Sequence, residues 1–248
     1  MADFGRIRAV LFDIGGTLLD FEVPESRVQL RAGIAAAYDH LAAQGVRLPD
    51  RAHYQRLIER RFIRDYLWTR PFWRELDPLA GLRAVHNALA IDLDADAMTE
   101  VSRRCYGPTM AIAHAAPGAV KTLAQLIQRG YVVGAVSNTM APPAGLDDHL
   151  RVEGLLEHLP LRVYSCQVGV RKPHRRIFET ALRQAGVPAV DSLYVGDKPR
   201  IDVRGARRVG MMTAWRNANG QPARGPRADL TVTRVDELLD VLPSRGDS

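Results

Sequence analysis

The apolar residues change their spacing at Pro117-Gly118, and this change constrains the fold more than any other feature of the chain. On the N-terminal side they recur every three to four positions, as they do on helices buried along one face. Leu30, Ile34, Tyr38 and Leu41 form one such stripe, with Pro24 in its first turn and Gly45 at its end. Tyr54, Ile58, Phe62 and Tyr66 form a second, and Leu79, Leu82, Val85 and Leu89 a third. Met98, Val101 and Cys105 form a fourth, bounded by Gly107-Pro108. Four short-linked amphipathic helices predict a small bundle.

On the C-terminal side, helical stripes alternate with short apolar runs. A helix through Val120 to Ile127 stops at Gly130, and Tyr131 to Val136 reads as a strand ending at Ser137-Asn138. A helix near Asp147 to Leu156, a strand at Leu161 to Tyr164 and a helix from Pro173 to Ala185 follow. Leu193 to Val195 is a strand ending at Gly196-Asp197, and Pro199 to Val209 a helix. Met211 to Trp215 and Leu230 to Val232 are further strands, separated by a polar loop, and Val235 to Leu242 closes the chain as a helix. Such alternation predicts an α/β domain, a doubly wound parallel sheet with helices on both faces.

One strand stands apart from its fellows. Ile7 to Phe12 precedes the helical segment and runs into Asp13, Gly15 and Gly16. The glycines free the backbone for a tight turn near a ligand. Ligands of open α/β sheets bind at the carboxyl ends of strands, so Asp13, Ser137-Asn138 and Asp197 converge on one edge. Gly169-Val170-Arg171-Lys172-Pro173 brings Lys172 to the same edge, just before a helix.

Composition narrows the classes. No apolar run approaches the ~20 residues of a membrane helix, and the N-terminus has no secretory pattern. Cys105 and Cys166 form no CxxC pair, which predicts a reducing cytoplasm and no zinc site. The net charge is +6, but only Lys121, Lys172 and Lys198 are lysines, and the arginines are scattered over many elements. That distribution predicts a solvated basic surface rather than a nucleic-acid or membrane footprint.

Phe12-Asp13-Ile14-Gly15-Gly16-Thr17-Leu18, Val136-Ser137-Asn138, Gly169 to Pro173 and Val195 to Asp202 resemble, in order, the four motifs of the haloacid dehalogenase superfamily. The likeness covers the whole α/β part and is closest to the phosphatase-like branch with an inserted helical cap of C1 type (subfamily I). It implies a Rossmann-like core of residues 1–19 and 116–248 and a cap of residues 20–115. It also implies Asp13 as nucleophile and a Mg²⁺ ion held by Asp13, the Gly15 carbonyl, Asp197 and Asp202. Ser137, the Asn138 backbone N–H and Lys172 would hold the phosphoryl oxygens, and Lys172 would offset the charge on Asp13. A hard cation with oxygen ligands suits that donor set. Taken singly, Ser137-Asn138 also reads as an ordinary turn, Lys172 as a surface charge, and Asp202 as a surface ion pair with Arg204 or Arg207.

One departure bears on mechanism. Phosphatases of this superfamily carry a second Asp two positions after the nucleophile as general acid and base; here that position is Gly15. General acid–base help is worth ~10²–10⁴-fold. The phosphonoacetaldehyde hydrolases also have a small residue there but need a cap lysine, and no lysine precedes Lys121. Haloacid dehalogenases lack the acid and use no metal, against which the Asp197–Asp202 pattern argues; phosphomutases need the acid. The expectation is a Mg²⁺-dependent phosphoric monoester hydrolase acting on a small phosphorylated metabolite through an aspartyl-phosphate. Its rivals are a catalytically weak protein that binds a phosphorylated ligand and, third, a dehalogenase-like hydrolase.

Within the cap, Tyr66 to Arg74 interleaves aromatics with arginines. They are expected to pack the cap's own core beneath their arginines, with a pocket lining through Arg70 or Arg74 as the alternative. His53, His86 and His114 are expected on the surface or in helix packing.

Overall fold

Ala9-Val10-Leu11-Phe12 has no exposed side chain, because the strand lies in mid-sheet with a layer of helices on each face. In the computed structural model, residues 3–22, 27–75, 77–139, 142–222 and 224–245 are described, with the Arg70 side chain outside that set; Pro24 lies outside it too. In chain order the elements begin with β1 (Ala9–Phe12), β2 (Leu19–Phe21), α1 (Arg27–Ala43), α2 (Arg51–Thr69), α3 (Pro78–Ala88), α4 (Ala95–Met110) and β3 (Ala113–Ala115). They continue with α5 (Ala119–Gln128), β4 (Val132–Ser137), α6 (Pro143–Val152), β5 (Leu161–Tyr164), α7 (Ser165–Val168) and α8 (Arg175–Ala185). The last are β6 (Ser192–Gly196), α9 (Asp202–Arg208), β7 (Met212–Arg216), β8 (Leu230–Val232) and α10 (Leu238–Val241).

Six strands form one sheet in the order β5-β4-β1-β6-β7-β8, and every neighbouring pair is parallel. The fold is the doubly wound α/β class that the alternation implies. The strand order reverses about β1, which opens a crevice at its carboxyl end. Successive side chains of β1 go to opposite faces. Val10 and Phe12 pack with Leu123, Leu126, Leu146 and Leu150, whereas Leu11 packs with Ile177, Phe178 and Ala181. Each such burial contributes ~1.5–3 kcal/mol, so β1 is anchored from both sides.

A third cluster gathers Ile34 and Leu41 of α1, Tyr54 and Ile58 of α2, Leu82 and Val85 of α3, and Met98 and Val101 of α4. His86 is fully buried there, between the Tyr54 hydroxyl at 3.0 Å and the Leu82 carbonyl at 2.9 Å. His53 is exposed, and His114 pairs with Glu22 and Glu153.

Several boundaries differ from the sequence reading. The fourth helix runs through Gly107-Pro108 to Met110; Pro108 sits in its last turn, where its missing N–H forfeits one bond. The helix expected at Asp147 begins at Pro143, and that expected at Pro173 begins at Arg175, capped by His174. The antiparallel ribbon β2–β3, pairing Leu19 with Ala115 and Phe21 with Ala113, links the helical segment to the sheet. Its three-residue strands are too short to register as periodicity.

The Tyr66 to Arg74 stretch is corrected. Leu67, Trp68 and Phe72 are 59%, 75% and 68% exposed, so they do not form the core of the helical segment. The buried face of α2 ends earlier, at Tyr54 and Ile58, and the last turn leaves Leu67 and Trp68 to solvent. Instead this end is strapped to the sheet domain. The Arg171 N–H donates to the Trp73 carbonyl, and the Glu75 N–H to the Gly169 carbonyl. The Arg171 guanidinium donates to the Arg74 carbonyl and Thr69 Oγ1 and lies over the Tyr66 ring.

Candidate active site

β1 delivers Asp13 to the crevice: its N–H donates to the Val195 carbonyl, prolonging the β1–β6 ladder by one residue. Beyond it the chain turns, and the Ile14 N–H donates to Asp13 Oδ1 at 2.7 Å. β6 delivers Asp197, and the first turn of α9 delivers Asp202. Oxygens of Asp13, Asp197 and Asp202 lie within 4.8 Å of one another.

Two glycines make this convergence possible. Gly16 has φ +80°, and a Cβ there would collide with the Asp197 carboxylate. A Cβ on Gly196 would come within 2.5 Å of Asp202 Cβ. Any side chain at either position would push an acid out of the cluster.

Lys172 is 1% exposed. Its Nζ lies 2.8 Å from Asp13 Oδ1 and 2.8 Å from Asp202 Oδ1, and it donates to the Tyr194 hydroxyl at 2.9 Å. Asp202 Oδ1 meets the ammonium as an ion pair without hydrogen-bond alignment, while its Oδ2 accepts the Lys198 N–H. The surface readings of Lys172 and Asp202 are therefore replaced by a buried triad. Burial alone would neutralise the Lys172 amine, but the carboxylates of Asp13 and Asp202 hold its pKa well above the ordinary value. The Asp202 carboxyl is raised by burial and by Asp13, against the pull of Lys172. Asp197 is pushed up to about 7 by burial and then by the charge of Asp13.

Ser137 is buried at the end of β4. The Asn138 side chain does something its motif did not announce. Its Oδ1 accepts the Lys172 N–H at 2.7 Å and its Nδ2 donates to the Lys172 carbonyl at 3.1 Å, fixing the backbone that carries the lysine. Tyr194 was also missed by sequence reasoning. It is an inward position of an apolar strand, and only its hydroxyl, which donates to the Val136 carbonyl, sets it apart from a core residue.

Gly15, unlike Gly16, has no left-handed φ. A Cβ there would lie 3.3 Å from Cε2 of Phe21, so the Phe21 ring borders the space that an acidic side chain would enter. At the next strand end, the buried Arg216 grips the same turn, donating to the Gly16 carbonyl and to the Asp20 carboxylate. The Trp215 indole N–H donates to the Asp197 carbonyl.

The donor set fits a hard divalent cation: three carboxylates converge, and the buried Asp197 Oδ1 has no hydrogen-bond partner. Neither cysteine offers a rival nucleophile, since burial pushes the Cys166 thiol up to about 11 and that of Cys105 to about 12. Among the described residues, no helix is long and apolar enough to cross a membrane.

The family profile described as a haloacid dehalogenase-like hydrolase matches residues 7–210. A glyceraldehyde 3-phosphate phosphatase of Pyrococcus furiosus is 28% identical over 98% of this chain and 96% of its own length. The crystal structure of a haloacid dehalogenase-type phosphatase from Thermococcus onnurineus is 25% identical with a TM-score of 0.62, covering 96% of this chain and 99% of that one. A 2-haloacid dehalogenase from Pseudomonas syringae superposes with a TM-score of 0.67 at 24% identity, over 95% and 98% of the two chains; that likeness is one of fold.

Proposed function

Because the chain belongs to the haloacid dehalogenase-like hydrolases, we propose that it hydrolyses the phosphate ester of a small metabolite, with Asp13 as nucleophile. The carrying observation is the buried Lys172 ammonium 2.8 Å from Asp13, beside an Asp197 oxygen that lacks any partner. The full-length similarity to a phosphatase of Pyrococcus furiosus supports phosphorus rather than carbon as the centre attacked, and a short phosphorylated compound as the substrate class. In this reading residues 20–115 act as a cap over the core formed by 1–19 and 116–248, with the β2–β3 ribbon as the connection between them.

Asp13, Asp197, Asp202 and the Gly15 carbonyl would hold Mg²⁺. When bound, the ion offsets the negative charge of the phosphoryl group and of the carboxylates around it. The protein's own groups account for the remaining chemistry. Lys172 stays charged between two carboxylates, so it neutralises Asp13 and orients the carboxylate oxygen for attack. Ser137 and the Asn138 N–H meet phosphoryl oxygens, while the Asn138 side chain keeps Lys172 in place. Attack forms the Asp13–phosphorus bond and breaks the bond to the leaving oxygen, which departs with its electron pair. Water then attacks phosphorus, releasing phosphate and restoring the carboxylate. Gly15 supplies no proton to the leaving oxygen and no base to the water. Esters whose leaving groups tolerate charge, such as aryl or acyl phosphates, are therefore hydrolysed faster than alkyl phosphates.

The test is a phosphate-ester panel with and without Mg²⁺, on the wild type and on Asp13→Asn. We expect metal-dependent turnover that Asp13→Asn lowers by more than ~10³-fold while circular dichroism is unchanged. Turnover by a folded Asp13→Asn protein at the wild-type rate would sink the mechanism. Binding of phosphate esters without turnover would favour a ligand-binding protein, the reading that the empty position 15 favours.

A further inference from the structure

Beside the three acids lies a cavity of about 800 Å³ that the chemistry above does not use. Gly16 and Asp197 line it, which sets it beside the acid cluster. Its walls come from β2, the turn after β6, the end of β7 and the loop that follows it; among the described residues, none of α1 to α4 lines it. The walls carry four cations: Lys198, Arg200, Arg216 and Arg224.

Two of these are already answered by an acid. Arg216 is held by Asp20 through two oxygens, and Lys198 lies 3.5 Å from Asp197. Arg200 and Arg224 are exposed to the cavity, and neither has an acidic partner among the described residues. Four cations against Asp20 and Asp197 leave an excess of two positive charges in a recess lined also by Trp215, Asn217 and Gln221. A neutral substrate tail has no use for that excess. A tail with its own anion would offset it, and guanidinium groups suit planar, bidentate recognition of carboxylate or phosphate.

We infer that this cavity is a subsite for a second anionic group, carboxylate or phosphate, on the ester cleaved at Asp13. The substrate is thus a phosphorylated acid or a bisphosphate rather than a phosphorylated aldehyde or alcohol. The inference rests on the phosphatase reading, and the experiment separates the two.

The probes are 3-phosphoglycerate and glyceraldehyde 3-phosphate, which share a three-carbon skeleton and differ at the distal carboxylate. With Mg²⁺ present, wild-type kcat/KM should favour the acid by about tenfold or more, the range expected of a hydrogen-bonded charge. In Arg200→Ala/Arg224→Ala the ratio should fall to within about twofold, chiefly through KM, and Arg200→Lys/Arg224→Lys should recover only part of it, because lysine restores the charge but not the bidentate fork. A bisphosphate of similar length should follow the acid. A wild-type ratio near one, or a ratio that survives the double alanine variant, would overturn the subsite while leaving the phosphatase reading intact. If neither compound is turned over, the same ratio is read from calorimetric dissociation constants. Discrimination that the double variant abolishes then supports the subsite while the phosphatase reading fails, whereas equal binding or no binding overturns the subsite.

Discussion

At the scale of single residues, the decisive position is one without a side chain. Gly15 adopts ordinary backbone angles, so a substitution there meets the Phe21 ring rather than a forbidden conformation. Gly15→Asp alone must displace that ring by a few tenths of an ångström. With Phe21→Ala the space is open. We expect Gly15→Asp/Phe21→Ala to raise alkyl phosphate turnover by up to ~10²-fold and aryl turnover much less, because only the poor leaving group needs a proton. The check is paired aryl and alkyl kinetics in wild type, single and double variants, with circular dichroism for fold. Alkyl turnover that is already fast in the wild type, and unchanged in the double variant, would mean another group gives the proton. Gly16 would not accept the same change, since its Cβ would strike Asp197.

Among elements, the packing of α6 against α4 and the ribbon β2–β3 should depend on pH through one buried histidine. His149 of α6 is buried, with Nδ1 3.0 Å from the Tyr106 hydroxyl of α4 and Nε2 2.7 Å from the Ala113 carbonyl of β3. Burial lowers its pKa below 6.5, against the Ala113 carbonyl and Glu153, which raise it; His114 opposes protonation. The unfolded chain therefore takes up this proton first as pH falls. The stabilisation is complete above pH 6.5 and is lost as pH drops below it towards the folded value, by at most ~1.4 kcal/mol per pH unit. Thermal melts from pH 7.5 to 5 should show the midpoint falling, and His149→Gln should make the slope shallower. Parallel slopes in the two proteins would rule out His149 as the titrating group.

These elements also show what the sequence could reveal. The inner strands β1, β4 and β6 were legible because each carries a mainly apolar, buried run in a parallel sheet covered on both faces. The order of the motifs brought Asp13, Lys172, Asp197 and Asp202 to one edge. What stayed hidden depends on neighbours distant in sequence. The β2–β3 pairing joins residues about 95 positions apart through strands of three, and Tyr194 differs from a core tyrosine only by its contact with Lys172. The aromatics of Tyr66 to Trp73 carry a core-like stripe, yet no neighbouring element among the described residues covers Trp68 or Phe72.

For the whole molecule, the helical segment meets the sheet domain at the ribbon and at the strap between Thr69–Glu75 and Gly169–Arg171. The strap ends one residue before Lys172. Trp73 is held there at φ 53°, which costs a bulky residue ~1–3 kcal/mol and is offset by the hydrogen bonds across the strap. Arg171→Ala removes three of the side-chain bonds. Hydrogen exchange of residues 66–75 should then accelerate about tenfold or more while β1, β4 and β6 stay protected, and kcat and KM should shift together. Unchanged exchange in that segment would show that the strap does not hold the two parts together.

The burial of Lys172 also makes the enzyme its own reporter in covalent-labelling chemistry. Only three side chains bear primary amines: Lys121 and Lys198 are exposed, and Lys172 is 1% exposed beneath two carboxylates. An acylating reagent should modify the first two rapidly and the third at a rate set by how often the crevice opens and Lys172 sheds its proton. Peptide mass mapping would read that rate at one residue. With Mg²⁺ and a slowly turned-over ester the Lys172 adduct should accumulate more slowly, and in Arg171→Ala more quickly.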